Sequence, residues 1–197
     1  MKSPDILDAI RPVVKAFERL GILYYIGGSI ASSAYGVARA TMDVDMVSEL
    51  MKEHAHPLAE MLSSEYYIDE DMILDAVKRK SSFNIIHLET MFKIDIFLKK
   101  SSLYDEEVFK RKRRENLDEE SGDAEFFVSS GEDIILNKLG WFRMGGEVAE
   151  RQWNDILGVI KVQSKLLDKK YLYQWARELG VEDLLEKAFS EARENSY

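Results

Sequence analysis

Apolar side chains at Ile6, Leu7, Ile10, Val13, Val14, Phe17 and Leu20 recur at the spacing of one helix face, so residues 5 to 20 are predicted as a helix closed by Gly21. Ile22 to Ile26 is a short, nearly continuous apolar run with two tyrosines, which fits a buried strand. Gly27, Gly28 and Ser29 follow, then a small-residue helix from Ile30 to Tyr35 that Gly36 ends. A second strand is expected over 42 to 48, and helices over 51 to 63 and 70 to 80. Phe83 to Leu88 and Met91 to Leu98 read as two strands joined by a tight turn near Glu89-Thr90. A charged helix is expected over 103 to 114, a polar loop with Gly122 over 115 to 123, and a short strand at Phe126 to Val128.

Beyond residue 130 the pattern is helical throughout. Ser130 is placed to cap a helix from Gly131 to Arg143, and Gly145-Gly146 breaks it. Helices are expected over Glu147 to Leu167, over Lys169 to Leu179 with Asp168 as cap, and over 182 to 194. The expected fold class is α+β: a small mixed sheet with flanking helices over 1–129, then a helical bundle over 130–197.

Composition narrows the chemistry. The chain has no cysteine, which excludes a disulfide scaffold, a thiolate zinc site and a cysteine nucleophile. Its net charge is −9, with −7 carried by the first 129 residues and −2 by the rest. So acidic a chain is a poor general nucleic-acid binder, and its carboxylates are candidates for a cation site. No apolar run is long enough to span a bilayer, and the N-terminus lacks the pattern of a signal peptide. The expected location is therefore cytoplasmic, with no membrane partner.

Asp43-Val44-Asp45-Met46-Val47 is the most informative stretch. Alternate residues of a strand share a face, so Asp43 and Asp45 point one way while Val44 and Met46 enter the core. In Lys93-Ile94-Asp95-Ile96-Phe97-Leu98, Asp95 opposes the apolar face in the same manner. If the two strands are neighbours, three carboxylates meet, and a divalent cation relieves their repulsion. Mg2+ takes oxygen ligands together with substrate phosphates, and two such ions can clamp the attacking and leaving oxygens of a phosphoryl transfer. The Gly27-Gly28-Ser29 turn complements this chemistry, because glycine lets backbone approach a phosphate and a helix start attracts anions. Each motif alone has a plain structural reading as turn chemistry or surface charge. Their combination, in this order and on these elements, is more specific.

These residues resemble the nucleotidyltransferase superfamily related to DNA polymerase beta. The matches are Gly28-Ser29, the pair Asp43 and Asp45, and Asp95. The stretch from Ile26 through Gly36, Arg39, Thr41, Asp43 and Asp45 looks most like the AbiEii-type branch and is also similar to small antibiotic nucleotidyltransferases. The resemblance covers about residues 22 to 98. It implies a Mg2+-dependent enzyme that transfers NMP from a nucleoside triphosphate to an acceptor hydroxyl on a small molecule, a protein or tRNA. It implies that Asp43 and Asp45 bind metal and triphosphate, that Asp95 joins them and activates the acceptor, and that Gly27, Gly28 and Ser29 hold phosphates. The spacing of thirteen residues between Ser29 and Asp43 departs from the minimal antitoxin-type members.

AbiEii-type proteins also carry a lysine and an aspartate in their helical half, and the candidates here are Lys138 and Asp155. Lys138 interrupts an apolar stripe and can either reach a phosphate or extend its ammonium to solvent. Arg151 and Asp155 lie four apart, the spacing of a helix-surface ion pair, and both are also candidate site residues. Arg39, with Thr41 before the aspartate pair, can bind phosphate bidentately or neutralise the acidic cluster. His54 and His56 are expected on the surface and His87 in packing. Lys110 to Arg114 is a basic run read as a helix end that complements the dipole, with a polyanionic acceptor as the competing reading. The tryptophans at 141, 153 and 175 are expected in the core. Two other functional readings stand beside the enzyme: a non-catalytic relative that binds nucleotide or a partner protein, and the toxin of a toxin–antitoxin pair.

Overall fold

The computed structural model describes residues 6–117 and 125–194. The chain divides into two units, Met1–Gly27 with Thr41–Val128, and Gly28–Ala40 with Ser129–Tyr197. Compared with a division at residue 129, the small-residue helix and its following loop are thus grouped with the C-terminal helices.

The first unit is built on one mixed sheet. Its strands are β1 (Tyr24–Ile26), β2 (Asp43–Ser48), β3 (Tyr66–Tyr67), β4 (Ser82–His87), β5 (Lys93–Leu98), β6 (Arg113–Asn116) and β7 (Glu125–Val128), in the order β3-β4-β5-β2-β1-β7-β6. β2 runs parallel to β5 and antiparallel to β1, and β1 runs parallel to β7. Val44, Met46, Ile94 and Ile96 alternate into the core and are fully buried, which fixes the register of the two central strands. The helices of this unit are α1 (Ile6–Leu20), α3 (Ala55–Leu62, entered through a 3-10 turn at Lys52–His54), α4 (Glu70–Arg79) and α5 (Leu103–Arg111). Ile10, Phe17, Leu58 and Ile73 are buried with the core residues of the sheet, and the Tyr66 hydroxyl donates to the Ala9 carbonyl at 2.7 Å.

The second unit is helical: α2 (Gly28–Tyr35), α6 (Gly131–Met144), α7 (Glu150–Gln163), α8 (Lys169–Glu178) and α9 (Glu182–Glu194). Ser130 caps α6 by accepting from the Asp133 amide at 3.2 Å, and Asp168 caps α8 by accepting from the Tyr171 amide at 3.0 Å. Both caps satisfy N–H groups that a helix start leaves without partners. Inside the bundle, Asp133 is fully buried and accepts from the Ser130 and Tyr171 hydroxyls, each at 2.6 Å. The end of α2 meets α7 at very short range, because a Cβ on Gly36 would lie 2.8 Å from the Ser32 carbonyl and 2.9 Å from the Val159 amide.

Three expectations change. The helix expected over 103 to 114 stops at Arg111, because Arg113–Asn116 pairs antiparallel with β7 instead. The loop expected over 115 to 123 yields two residues to that strand, and residues 118–124, including Gly122, lie outside the described residues. Trp141 is 56% exposed and does not join the core, and Trp153 and Trp175 are only half-buried. Among the described residues, no helix is long and apolar enough to cross a membrane.

Candidate active site

In the sheet unit, the parallel register of β2 and β5 sets Asp43 opposite Lys93 and Asp45 opposite Asp95. The strand period then places Asp43, Asp45, Lys93 and Asp95 on one face, opposite buried Val44, Met46, Ile94 and Ile96. Asp43 is the most exposed of the carboxylates, at 58% of its side chain, and Asp95 is at 22%. Lys93 completes the group. Its Nζ lies 2.8 Å from Asp95 Oδ2 and 3.8 Å from Asp43 Oδ1. The hydrogen bond to Asp95, aided by the charges of Asp95, Asp43 and Asp45, holds the Lys93 ammonium above its usual range despite partial desolvation.

Two further expected residues join this unit. The Gly27 amide donates to the Asp45 carbonyl at 2.8 Å and so ties the turn after β1 to β2. The Thr41 hydroxyl donates to the Asp43 carbonyl at 3.1 Å, an exposed local bond that shapes the entry into β2.

The helical unit gathers a second group. Gly28 adopts φ of +56°, a conformation that favours glycine, and α2 begins there. Ser29 follows in the first turn, and its hydroxyl accepts from Arg39 Nη2 at 2.5 Å. The same guanidinium grips Asp155 with Nε at 2.9 Å and Nη2 at 3.0 Å, while Lys138 Nζ reaches Asp155 Oδ2 at 2.8 Å. Asp155 and Lys138 are largely buried, with side chains 7% and 10% exposed. Burial pushes the Asp155 carboxyl up, but the hydrogen bonds from Arg39 and Lys138, with their charges, outweigh it and hold the group below its usual range. The Asp155 hydrogen bond likewise raises Arg39. Two cations share one carboxylate, so the group carries a net positive charge beside the start of a helix. That arrangement attracts anions.

Several side chains have other partners than the spacing suggested. Asp155 binds Arg39 and Lys138, whereas Arg151 is exposed. Lys138 turns its ammonium inward rather than to solvent. The basic run is split between the end of α5 and β6, and Lys112 lies over the rings of Phe109 and Phe127 at 5.2 Å from each centroid. His56 is exposed and pairs with Glu70, and buried His87 packs on Tyr66 with ring centroids 5.0 Å apart. Lys93 is the side chain of this group that the sequence pattern alone does not single out. Its signal was its place two residues before Asp95, on the same strand face.

No protein-family model and no curated protein sequence matches this chain. Solved structures do. An antigenic nucleotidyltransferase-like protein of Paracoccidioides brasiliensis is similar over 92% of this chain and 91% of its own, with TM-score 0.54 and 16% identity. The fold is that of the nucleotidyltransferases. ANT(2'')-Ia, solved in complex with adenylyl-2''-tobramycin, is similar over 96% of this chain and 98% of its own, with TM-score 0.51 and 15% identity. A candidate nucleotidyltransferase of Thermotoga maritima covers 78% of this chain and 94% of its own, with TM-score 0.50 and 18% identity. Within this fold, the face of β2 and β5 carries Asp43, Asp45 and Asp95 together.

The donor set suits a hard divalent cation, since it offers carboxylate oxygens. Among the described residues, no three acidic or imidazole groups converge tightly enough to form a ready-made metal cage. The Lys93 ammonium stands among them as a cation, in contact with two of the three carboxylates.

Proposed function

We propose that this protein is a Mg2+-dependent nucleotidyltransferase that moves a nucleoside monophosphate from a nucleoside triphosphate to an acceptor hydroxyl. One observation carries the reading: Asp45 and Asp95 are in register on adjacent parallel strands, with Asp43 on the same face. The nucleotidyltransferase fold supports it. Asp43, Asp45 and Asp95 are the residues assigned to Mg2+, which would supply positive charge to the triphosphate and the leaving pyrophosphate. Asp95 takes the proton of the acceptor hydroxyl as its oxygen attacks the α-phosphorus. The bond from that phosphorus to the bridging oxygen breaks, and pyrophosphate leaves.

In the helical unit, Gly28, Ser29, Arg39 and Lys138 are assigned to phosphate binding on their chemistry. A helix start, a hydroxyl and two cations are groups that phosphate oxygens accept from. Asp155 is assigned the positioning of Arg39 and Lys138, which it holds by three charge-assisted hydrogen bonds. Gly27 and Thr41 shape the backbone around the aspartate pair, and Arg151 is given no role.

The acceptor is identified by incubating the protein with each labelled nucleoside triphosphate, Mg2+ and a cell extract, and finding what gains label. Label transfer that disappears in Asp43→Ala and Asp45→Ala, with circular dichroism unchanged, supports the proposal. An absence of Mg2+-dependent triphosphate binding by the purified protein refutes it. Binding without any labelled acceptor favours the non-catalytic reading, and growth arrest on expression that requires Asp43 favours a toxin.

A further inference from the structure

Three carboxylates on one exposed sheet face repel one another unless a cation sits among them. The chain provides one of its own. Lys93 is opposite Asp43 in the β2–β5 register and two residues before Asp95 on β5, so it is held on the carboxylate face by the same pleat that holds the acids. The residue paired with Asp95 on the other side, Asn84 of β4, brings no charge. Lys93 Nζ bridges Asp95 at 2.8 Å and Asp43 at 3.8 Å, and its side chain remains 43% exposed, so it has solvent to move into.

We propose that Lys93 is a resident counter-cation of this face, which holds Asp43 and Asp95 in the metal-free protein and gives up that place when a divalent cation binds. The inference rests on the metal-binding reading of the three aspartates. Lysine suits the task because its ammonium is a compact point charge on a flexible stem of four carbons. It can leave by rotating its side chain, with no backbone movement. The consequence is competition: the free protein binds divalent metal weakly, because the incoming ion must displace a charge already paired.

The test is Mn2+ titration followed by the electron paramagnetic resonance signal of free Mn2+, without nucleotide and at low salt. The proteins are the natural chain, Lys93→Met, Lys93→Gln, Lys93→Arg and the double variant Asp43→Asn/Asp45→Asn, each checked for fold by circular dichroism. Lys93→Met and Lys93→Gln should bind Mn2+ roughly tenfold more tightly, the effect of removing a unit charge about 6 Å from a divalent ion in a water-like dielectric. Lys93→Arg, which keeps the charge, should stay within about twofold of the natural chain by the same reckoning. A lysine that merely orients Asp95 predicts the reverse. If the neutral variants bind Mn2+ equally or more weakly while the double aspartate variant loses binding, the counter-cation proposal is overturned and the metal reading survives. If neither the natural chain nor the neutral variants bind Mn2+ in a way that needs Asp43 and Asp45, the metal reading falls and takes this proposal with it.

Discussion

Asp155→Ala would leave Arg39 and Lys138 without their shared counter-charge. The carboxylate is nearly buried and accepts three charge-assisted hydrogen bonds, at 2.9, 3.0 and 2.8 Å. Removing one member of a buried ion pair costs about 3–5 kcal/mol, because the abandoned charge stays desolvated. Lys138, 10% exposed, meets that condition, whereas Arg39, 30% exposed, can turn toward water. The expected loss is therefore at the low end, about 3 kcal/mol. For a chain of this length it corresponds to a fall of roughly 6–12 °C in the thermal midpoint. Thermal and urea unfolding by circular dichroism at pH 7 would measure it.

A double-mutant cycle isolates the cause. In a Lys138→Met background the abandoned ammonium is gone, so Asp155→Ala should cost about 2 kcal/mol less than it does alone. The pH dependence has a definite sign. The folded Asp155 carboxyl is held below its usual range, so its contribution is present above the unfolded value of about 3.9 and is lost as pH falls through the folded value. The stability gap between the natural chain and Asp155→Ala should thus be full at pH 7 and close in strong acid. A cost below about 1 kcal/mol, or strictly additive effects of the two substitutions, would mean that Asp155 does not compensate a buried Lys138 charge.

Other expectations follow from single features. Gly36→Ala places a methyl group against two backbone atoms at under 3.0 Å and should destabilise by about 1–3 kcal/mol in urea unfolding, whereas Gly140→Ala, with nothing within 4 Å, should stabilise by up to about 1 kcal/mol. Tyr171→Phe removes the 2.6 Å hydrogen bond to buried Asp133 and should cost about 1.5–3 kcal/mol by the same assay. Burial pushes the Tyr24 hydroxyl up to about 12, so the folded state favours its neutral form. Its stabilising effect is complete below the unfolded value of about 10 and is lost as pH rises toward 12; urea unfolding at pH 9 and pH 11.5 should differ less in Tyr24→Phe than in the natural chain, by on the order of 1–2 kcal/mol.

The elements that the sequence shows clearly are those with a strong period. Helix α1 and strands β2 and β5 announce themselves through apolar spacing, and the caps Ser130 and Asp168 lie where the residue types place them. Strand β6 was hidden. Arg113–Asn116 has no apolar alternation, and its extended form comes from pairing with the open edge of β7. Charged side chains on such an outermost strand also discourage pairing with another chain. The ion pairs of Asp155 were hidden for a related reason. Helical periodicity identifies neighbours on the same helix, and it suggested Arg151. The partner that holds the carboxylate is decided by which face is desolvated, and that face meets Arg39, far away in sequence, and Lys138 of α6.

A pleat with a period of two commits Asp43 and Asp45 to one strand face, and Asp95 to the side opposite an apolar face, as soon as one face is buried. Long-range packing, in contrast, made β2 and β5 parallel neighbours in a register that sets Asp45 beside Asp95. It also decided that Lys93 stands among the carboxylates and that Asp155 is shared by two cations. Local spacing is governed by the geometry of one chain segment. Register and the pairing of buried charges are governed by which distant surfaces exclude water together.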